Sequence, residues 1–172
     1  RPISGQTKDT VMDSALLYIV LRMRIKGGPT ILVLAYPGEV LGYGLWSTGM
    51  SIFRNSLYCR GGDGHGLRME QWGLLSLAGT SVVEASDLAL EHGISTIANC
   101  LISDAAGRSV NVESNAGGVN VIPAREGIAT HANHPVGRNT SAYEHFAHVV
   151  EKDCSRFRAE HLRNLLDAER GR

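Results

Sequence analysis

Four things are scarce or missing in this chain, and each absence excludes something. Long apolar runs are missing: the longest, Ala15 to Leu21, ends at Arg22 and Arg24. That is short of the about 18 residues a membrane-spanning helix needs. An excess of one charge is missing: 17 Lys and Arg face 17 Asp and Glu. The electrostatic case for a nucleic acid or an anionic membrane as partner goes with it. Cysteine is scarce. Cys59, Cys100 and Cys154 are odd in number and widely spaced, so they make neither a metal pattern nor a disulfide framework. They point to a reducing, cytoplasmic compartment. Internal repeats and low-complexity tracts are absent.

What is present fits one soluble domain over 1–172. The chain has 172 residues, 43% hydrophobic and 20% charged, enough to bury a sizeable core. It opens Arg1-Pro2-Ile3-Ser4 and closes Glu169-Arg170-Gly171-Arg172, directly after a helical pattern. With no initiator Met and no signal-peptide pattern, a piece of a longer protein is expected.

Two strand blocks alternate with two helix pairs. In Ala15 to Ile25, Leu21, Met23 and Ile25 share one side, with Arg22 and Arg24 on the other. Thr30–Tyr36, Glu39–Trp46 and Met50–Cys59 follow as strands of a meander. Arg60 to Gly66 carries four glycines. It lacks the Gly-Lys-Ser/Thr ending of a phosphate loop, so a mobile surface loop is expected. Leu67–Ala78 reads as a helix. A second opens with the capping box Ser81-Val82-Val83-Glu84 and stops at Gly93. Thr96–Ser103, the Asp104–Gly107 turn, Ser109–Glu113, Val119–Ile122 and Gly127–His131 form the second strand block. Another capping box, Ser141 to Glu144, opens a helical region to about Ala168, broken near Asp153-Cys154-Ser155. The alternation predicts an α+β layered domain with two sheets and helices outside them. Periodicity alone leaves a single sheet with helices on one face open.

The run Ile128-Ala129-Thr130-His131-Ala132-Asn133-His134-Pro135 carries the richest chemistry. His131 and His134 could ligate zinc, which favours imidazole nitrogen and needs further ligands, here Glu144, His145 or His148. Along an extended segment, however, a spacing of three turns the two rings to opposite sides. Asn133 offers an amide to a developing oxyanion, or is an ordinary turn Asn. Asn55 interrupts the apolar strand Ile52 to Leu57, where strand propensity disfavours it. Asp9 could orient a nucleophile or an α-amine, or simply be a solvated loop residue beside Lys8. Cys59 abuts Arg60, which could lower its pKa, but no partner base marks any cysteine as a nucleophile.

Together these segments resemble the acyl-coenzyme A:6-aminopenicillanic-acid acyltransferase family, the C45 peptidase family. It belongs to the N-terminal-nucleophile (Ntn) hydrolases, with choloylglycine hydrolases as relatives. The resemblance rests on Gly5-Gln6-Thr7-Lys8-Asp9 and on Gly42 to Met50 followed by Asn55-Ser56-Leu57. Ser81 to Ala85, the Asp104–Glu113 hairpin and Thr130 to Pro135 complete it, the last being the most specific.

The resemblance implies a four-layer αββα sandwich, incomplete here at both ends. It implies a precursor that cuts itself to expose an N-terminal Cys, lying shortly before Gly5. That Cys attacks a linear amide or thioester, forms an acyl-enzyme and passes the acyl group to water or an amine. Asp9, Asn55 and Asn133 match its catalytic positions. Gln6, His131 and His134 are expected at the substrate. No metal and no cofactor is implied. The expected partners are a small-molecule amide or acyl-CoA-like substrate and the remainder of the precursor or a companion subunit, with a homo-oligomer left open. Thr7, Thr10 and Trp46 depart from the family pattern near the expected pocket, and the chain alone is expected to be inactive. The alternative is a non-catalytic Ntn-like domain for binding or assembly.

Overall fold

The computed structural model describes residues 3–7, 16–39, 43–62 and 64–170. Asp9, the start of the first expected strand, residues 40–42 and Asp63 lie outside them. Among the described residues seven strands form one antiparallel sheet in chain order: β1 Ile19–Arg24, β2 Thr30–Ala35, β3 Tyr43–Trp46, β4 Ser51–Ser56, β5 Ala98–Ser103, β6 Ser109–Asn115 and β7 Gly118–Pro123. Helices α1 (Met69–Ala78) and α2 (Val82–His92) lie between β4 and β5 in the chain. A third, α3, spans Val149–Ala168. The class is α+β, and these layers are part of the sandwich expected. The two strand blocks, read as two sheets, are joined into one by β4 pairing with β5.

Alternation decides the two faces. One side carries Ile31, Val33, Trp46, Ile52, Cys100, Ile102, Val110 and Val112, all in the buried core with Met69, Trp72, Val82, Ala85 and Ala89 of the helix pair. Trp72 is fully buried, and its Nε1–H donates to the Ala85 carbonyl at 2.9 Å, tying α1 to α2. The expected cap of α2 forms: Glu84 N–H donates to Ser81 Oγ at 3.2 Å. The Glu84 carboxylate reaches back one residue further, to Thr80 N–H at 3.1 Å. Asp104, in the β5–β6 turn, accepts from Val82 N–H, Arg108 N–H and the Arg108 guanidinium. Burial alone would raise its pKa, but these donors hold the carboxyl below its ordinary range.

Three local expectations are corrected. Gly127–His131 is not a strand. Arg125 and Ile128 exchange both backbone hydrogen bonds around Glu126 (φ 51°) and Gly127 (φ 79°). Beyond that tight turn, strand side chains take up carbonyls of 130–132 in place of a ladder. The long helical region breaks earlier than expected. A 3₁₀ turn at Ser141–Tyr143 precedes an irregular stretch, and α3 runs unbroken through Asp153-Cys154-Ser155. The break lies where Glu144 bridges Cys59, His145 N–H donates to Tyr58 O, and Phe146 packs on the Tyr58 ring. The glycine loop lies at the surface as expected, but its described part is not loose: a Cβ on Gly64 or Gly66 would strike the backbone of Ile94 or His92. Its glycines permit close approach. Among the described residues, no helix is long and apolar enough to cross a membrane.

Candidate functional site

The face of the sheet away from α1 and α2 changes character along its width. Across β1 to β3 it carries Val20, Leu32 and Leu45, all exposed. Across β4 to β7 the paired positions bring Asn55 beside Asn99, Asn99 beside Glu113 and Leu101 beside Asn111. Amides and a carboxylate stand where the opposite face has Ile52, Cys100 and Val112. Over this polar half opens a cleft of about 1010 Å³, walled by residues 3–7, the 129–133 loop and one side of α3. An apolar hollow of about 300 Å³ adjoins it at Gln6, Tyr43 and Phe53.

Side-chain amides hold the loop over the sheet. Asn99 Nδ2 donates to Asn55 Oδ1 at 3.0 Å and to Asn111 Oδ1 at 3.1 Å. Asn55 Nδ2 donates to the Ala132 carbonyl, and Asn111 Nδ2 lies 3.4 Å from that of Thr130. Asn99 is fully buried, and its own Oδ1 has no partner among the described residues.

Asn133 lines the cleft. Its Nδ2 donates to Ser56 O at 2.9 Å, and its Oδ1 accepts from Arg158 at 2.8 Å. An amide nitrogen carries two hydrogens, and the second has no partner among the described residues. This is the donor an oxyanion could use. Asn55 lines the same cleft, but its amide is committed to Ala132 O and, at 3.3 Å, to Ser56 O. Gln6 lines the cleft with its Nε2 on Arg54 O at 2.6 Å. Asp9, outside the described residues, receives no position.

The two histidines part company. His131 lines the cleft, with Nε2 2.6 Å from Glu113 Oε1 and Nδ1 2.6 Å from Ala132 O. Both ring nitrogens are thus occupied, one by a side chain of the sheet and one by the loop's own backbone. Glu113, fully buried, also accepts from Val136 N–H at 2.7 Å, Gly137 N–H at 2.8 Å and the Thr140 hydroxyl. Burial would raise its pKa; the bonds from His131, Thr140 and Val136 outweigh burial and lower it. His134 lies away from the cleft lining, buried, with Nδ1 2.9 Å from Ser155 Oγ. That hydroxyl also accepts from Asn133 N–H at 2.9 Å, so Ser155 joins the two loop residues through one oxygen. Burial, then His131 and Arg156, push the His134 imidazole below its ordinary range. The rings stack at 6.2 Å rather than converging on an ion. Among the described residues no group of three His, Cys, Asp or Glu side chains could hold a metal. Burial pushes the Cys59 thiol up, so the lowering expected from Arg60 does not prevail, and pushes Cys100 up to about 12.

Sequence reasoning missed Asn99, Asn111, Glu113, Ser155 and Arg158. One signal was available: Asn99 and Asn111 each stand between two core residues of a strand, Ala98 and Cys100 or Val110 and Val112. Another was the spacing of Ser155 and Arg158, three apart and so on one helix face.

No family model matches this sequence, and no curated protein matches it. Among solved structures, a variant of conjugated bile acid hydrolase from Clostridium perfringens is 19% identical, covering 63% of this chain with a TM-score of 0.49. Penicillin V acylase from Agrobacterium tumefaciens is 20% identical over 55% of this chain, with a TM-score of 0.44. The chain spans 39% of the first and 33% of the second.

Proposed function

We propose that this chain is part of an Ntn-type amidohydrolase or acyltransferase. It acts on a linear amide or thioester, and its nucleophile is an N-terminal Cys upstream of Arg1. The observation that carries the reading is Asn133: a cleft-lining amide, held on both sides, with one N–H to spare. In the proposed reaction the thiolate sulfur bonds to the substrate carbonyl carbon, and the carbonyl oxygen gains charge. The spare Asn133 N–H donates to that oxygen, a contribution typically of a few kcal/mol. The C–N or C–S bond then breaks, and the leaving group takes the proton the α-amine removed from the thiol. Water or an amine afterwards takes the acyl group. Asp9 would orient the α-amine. Gln6 and His131 would line the substrate, whereas the bonds of His134 suit it to shaping the loop.

The sequence motifs around Gly5, Gly42, Ser81, Asp104 and Thr130 support membership of the penicillin-acyltransferase family. The remainder of the precursor or a companion subunit is the partner this reading calls for, and the exposed Val20, Leu32 and Leu45 offer it an apolar face. A cytoplasmic setting belongs to the same proposal, in keeping with the three unpaired cysteines. The test is mass spectrometry of the mature full-length protein, before and after incubation with chromogenic N-acyl anilides of graded acyl length. The reading expects a new N-terminal Cys and a mass gain of one acyl group on it. A mature N-terminus that is neither Cys, Ser nor Thr would sink it.

A further inference from the structure

We propose that Arg158, with Ser155 one helical turn before it, is the positioning device of the site: α3 fixes which end of the Asn133 amide faces the substrate. This rests on the reading of Asn133 as the oxyanion donor. An asparagine side chain can turn over, exchanging its oxygen and its NH₂. Here two neighbours remove that freedom. The Arg158 guanidinium has only donors and lies 2.8 Å from Oδ1. The Ser56 carbonyl is only an acceptor and lies 2.9 Å from Nδ2. The reversed amide would set NH₂ against guanidinium and oxygen against oxygen, losing both bonds at once.

The backbone of the same residue is held as well. Its N–H donates to Ser155 Oγ at 2.9 Å, and its carbonyl accepts from Tyr58 N–H at 2.9 Å. Ser155 and Arg158 are three apart and therefore neighbours on one helix face. Every polar group of Asn133 is thus engaged except the single N–H the chemistry needs. A donor fixed before the reaction stabilises charge without reorganising during it. Arg158 suits the task because its fork is planar and always charged. Among the described residues it pairs with no carboxylate, unlike Arg156, which is held by Glu144. The guanidinium is given to Asn133.

The experiment follows the Asn133 side-chain amide by ¹⁵N NMR in the full-length protein, with Asn133→Asp assigning the signal. Arg158→Met keeps the aliphatic stem and removes the donor. Arg158 is exposed, and such substitutions rarely disturb a fold. The expected result is a shift and broadening of the Asn133 Nδ2 pair, with the Asn99 and Asn111 signals in place. Arg158→Lys, a single-point donor, should return it part of the way. Ser155→Ala should move the Asn133 backbone N–H. In steady-state hydrolysis of N-acyl anilides, Arg158→Met should lower kcat about tenfold at unchanged KM, less than the roughly 10²-fold expected on deleting the donor itself. An Asn133 amide signal unmoved in Arg158→Met overturns the proposal, and so does a rise in KM with kcat intact. If the unmodified protein hydrolyses no anilide, the reading as an amidohydrolase fails, while the NMR comparison still decides the clamp.

Discussion

The two faces of the one sheet are built on different physics. On the face under α1 and α2, Ile52, Cys100, Ile102 and Val112 meet Trp72, Ala85 and Ala89, and burial of apolar surface does the holding. Such contacts are strong and have little directional preference. On the face under the 129–133 loop, Asn55, Asn99, Asn111 and Glu113 hold the chain above them by directed hydrogen bonds. Each of those bonds contributes only about 1 kcal/mol net. What they add is a defined geometry. Stability is concentrated on one side and orientation on the other, and the two can be perturbed separately.

The largest expected effect is on the covered face. Trp72→Ala should cost about 3–5 kcal/mol by cavity formation, read as a lowered midpoint in chemical denaturation. Glu113→Gln comes next, at about 2–3 kcal/mol, because it sets an amide NH₂ among the donors that now bond a buried carboxylate. Its pH dependence separates the two faces further. His134 and Glu113 have folded pKa values below their ordinary ones, so their contributions are complete above the unfolded pKa and vanish as pH falls through the folded one. Stability should therefore decline first below about pH 6.5, as His134 takes up a proton, and again below about pH 4.3. Glu113→Gln should lessen the second decline, which Asp104 shares, and Trp72→Ala should keep both. A Glu113→Gln profile parallel to the unmodified one would break the comparison. Asn99→Ala, which frees Asn55 and Asn111 from each other, should cost about 1–2 kcal/mol and loosen the loop, seen as faster amide exchange at Asn133. Smallest is Leu45→Ser on the exposed apolar half, 53% accessible: within about 0.5 kcal/mol. A much larger loss in the full-length protein would show that face to be covered there.

Much of this was legible because it is local. Alternation within Ala15–Ile25 and Ser109–Glu113 pointed to strands, and the residues it grouped, Leu21 with Met23 and Val110 with Val112, share the core side; Ser81 with Gly93 bounded α2. The 129–133 loop was not, because its carbonyls bond to Asn55 and Asn111, partners far away in the chain. A pattern of Ile128 and Thr130 looks like a strand end when those partners are unseen. The same holds for the helix break, which depends on Tyr58 pairing with His145. Asn133 was legible as a chemical type within a motif. The direction of its amide was not, since that is set by Arg158 and Ser56 on two other elements. His131 and His134, alike in the sequence, took opposite roles because Glu113 lies beneath only one of them.

Of the 20 residues of α3, Ser155 alone is buried, and the helix meets the rest of the molecule mainly through polar bonds to Asn133, His134 and Glu144 and those of Arg163 to Arg125, Glu126 and Ile128. A segment attached by so few contacts opens at far lower free energy than the sheet. When α3 lifts, Asn133 loses the partners of its N–H and its Oδ1 together, while β1 to β7 stay intact. α3 therefore acts as a latch on Asn133: an undocked population would be fully folded by any measure of the sheet, with that amide free to turn over. The exchange rate of a single proton, the Asn133 backbone N–H, would report how often the latch is open.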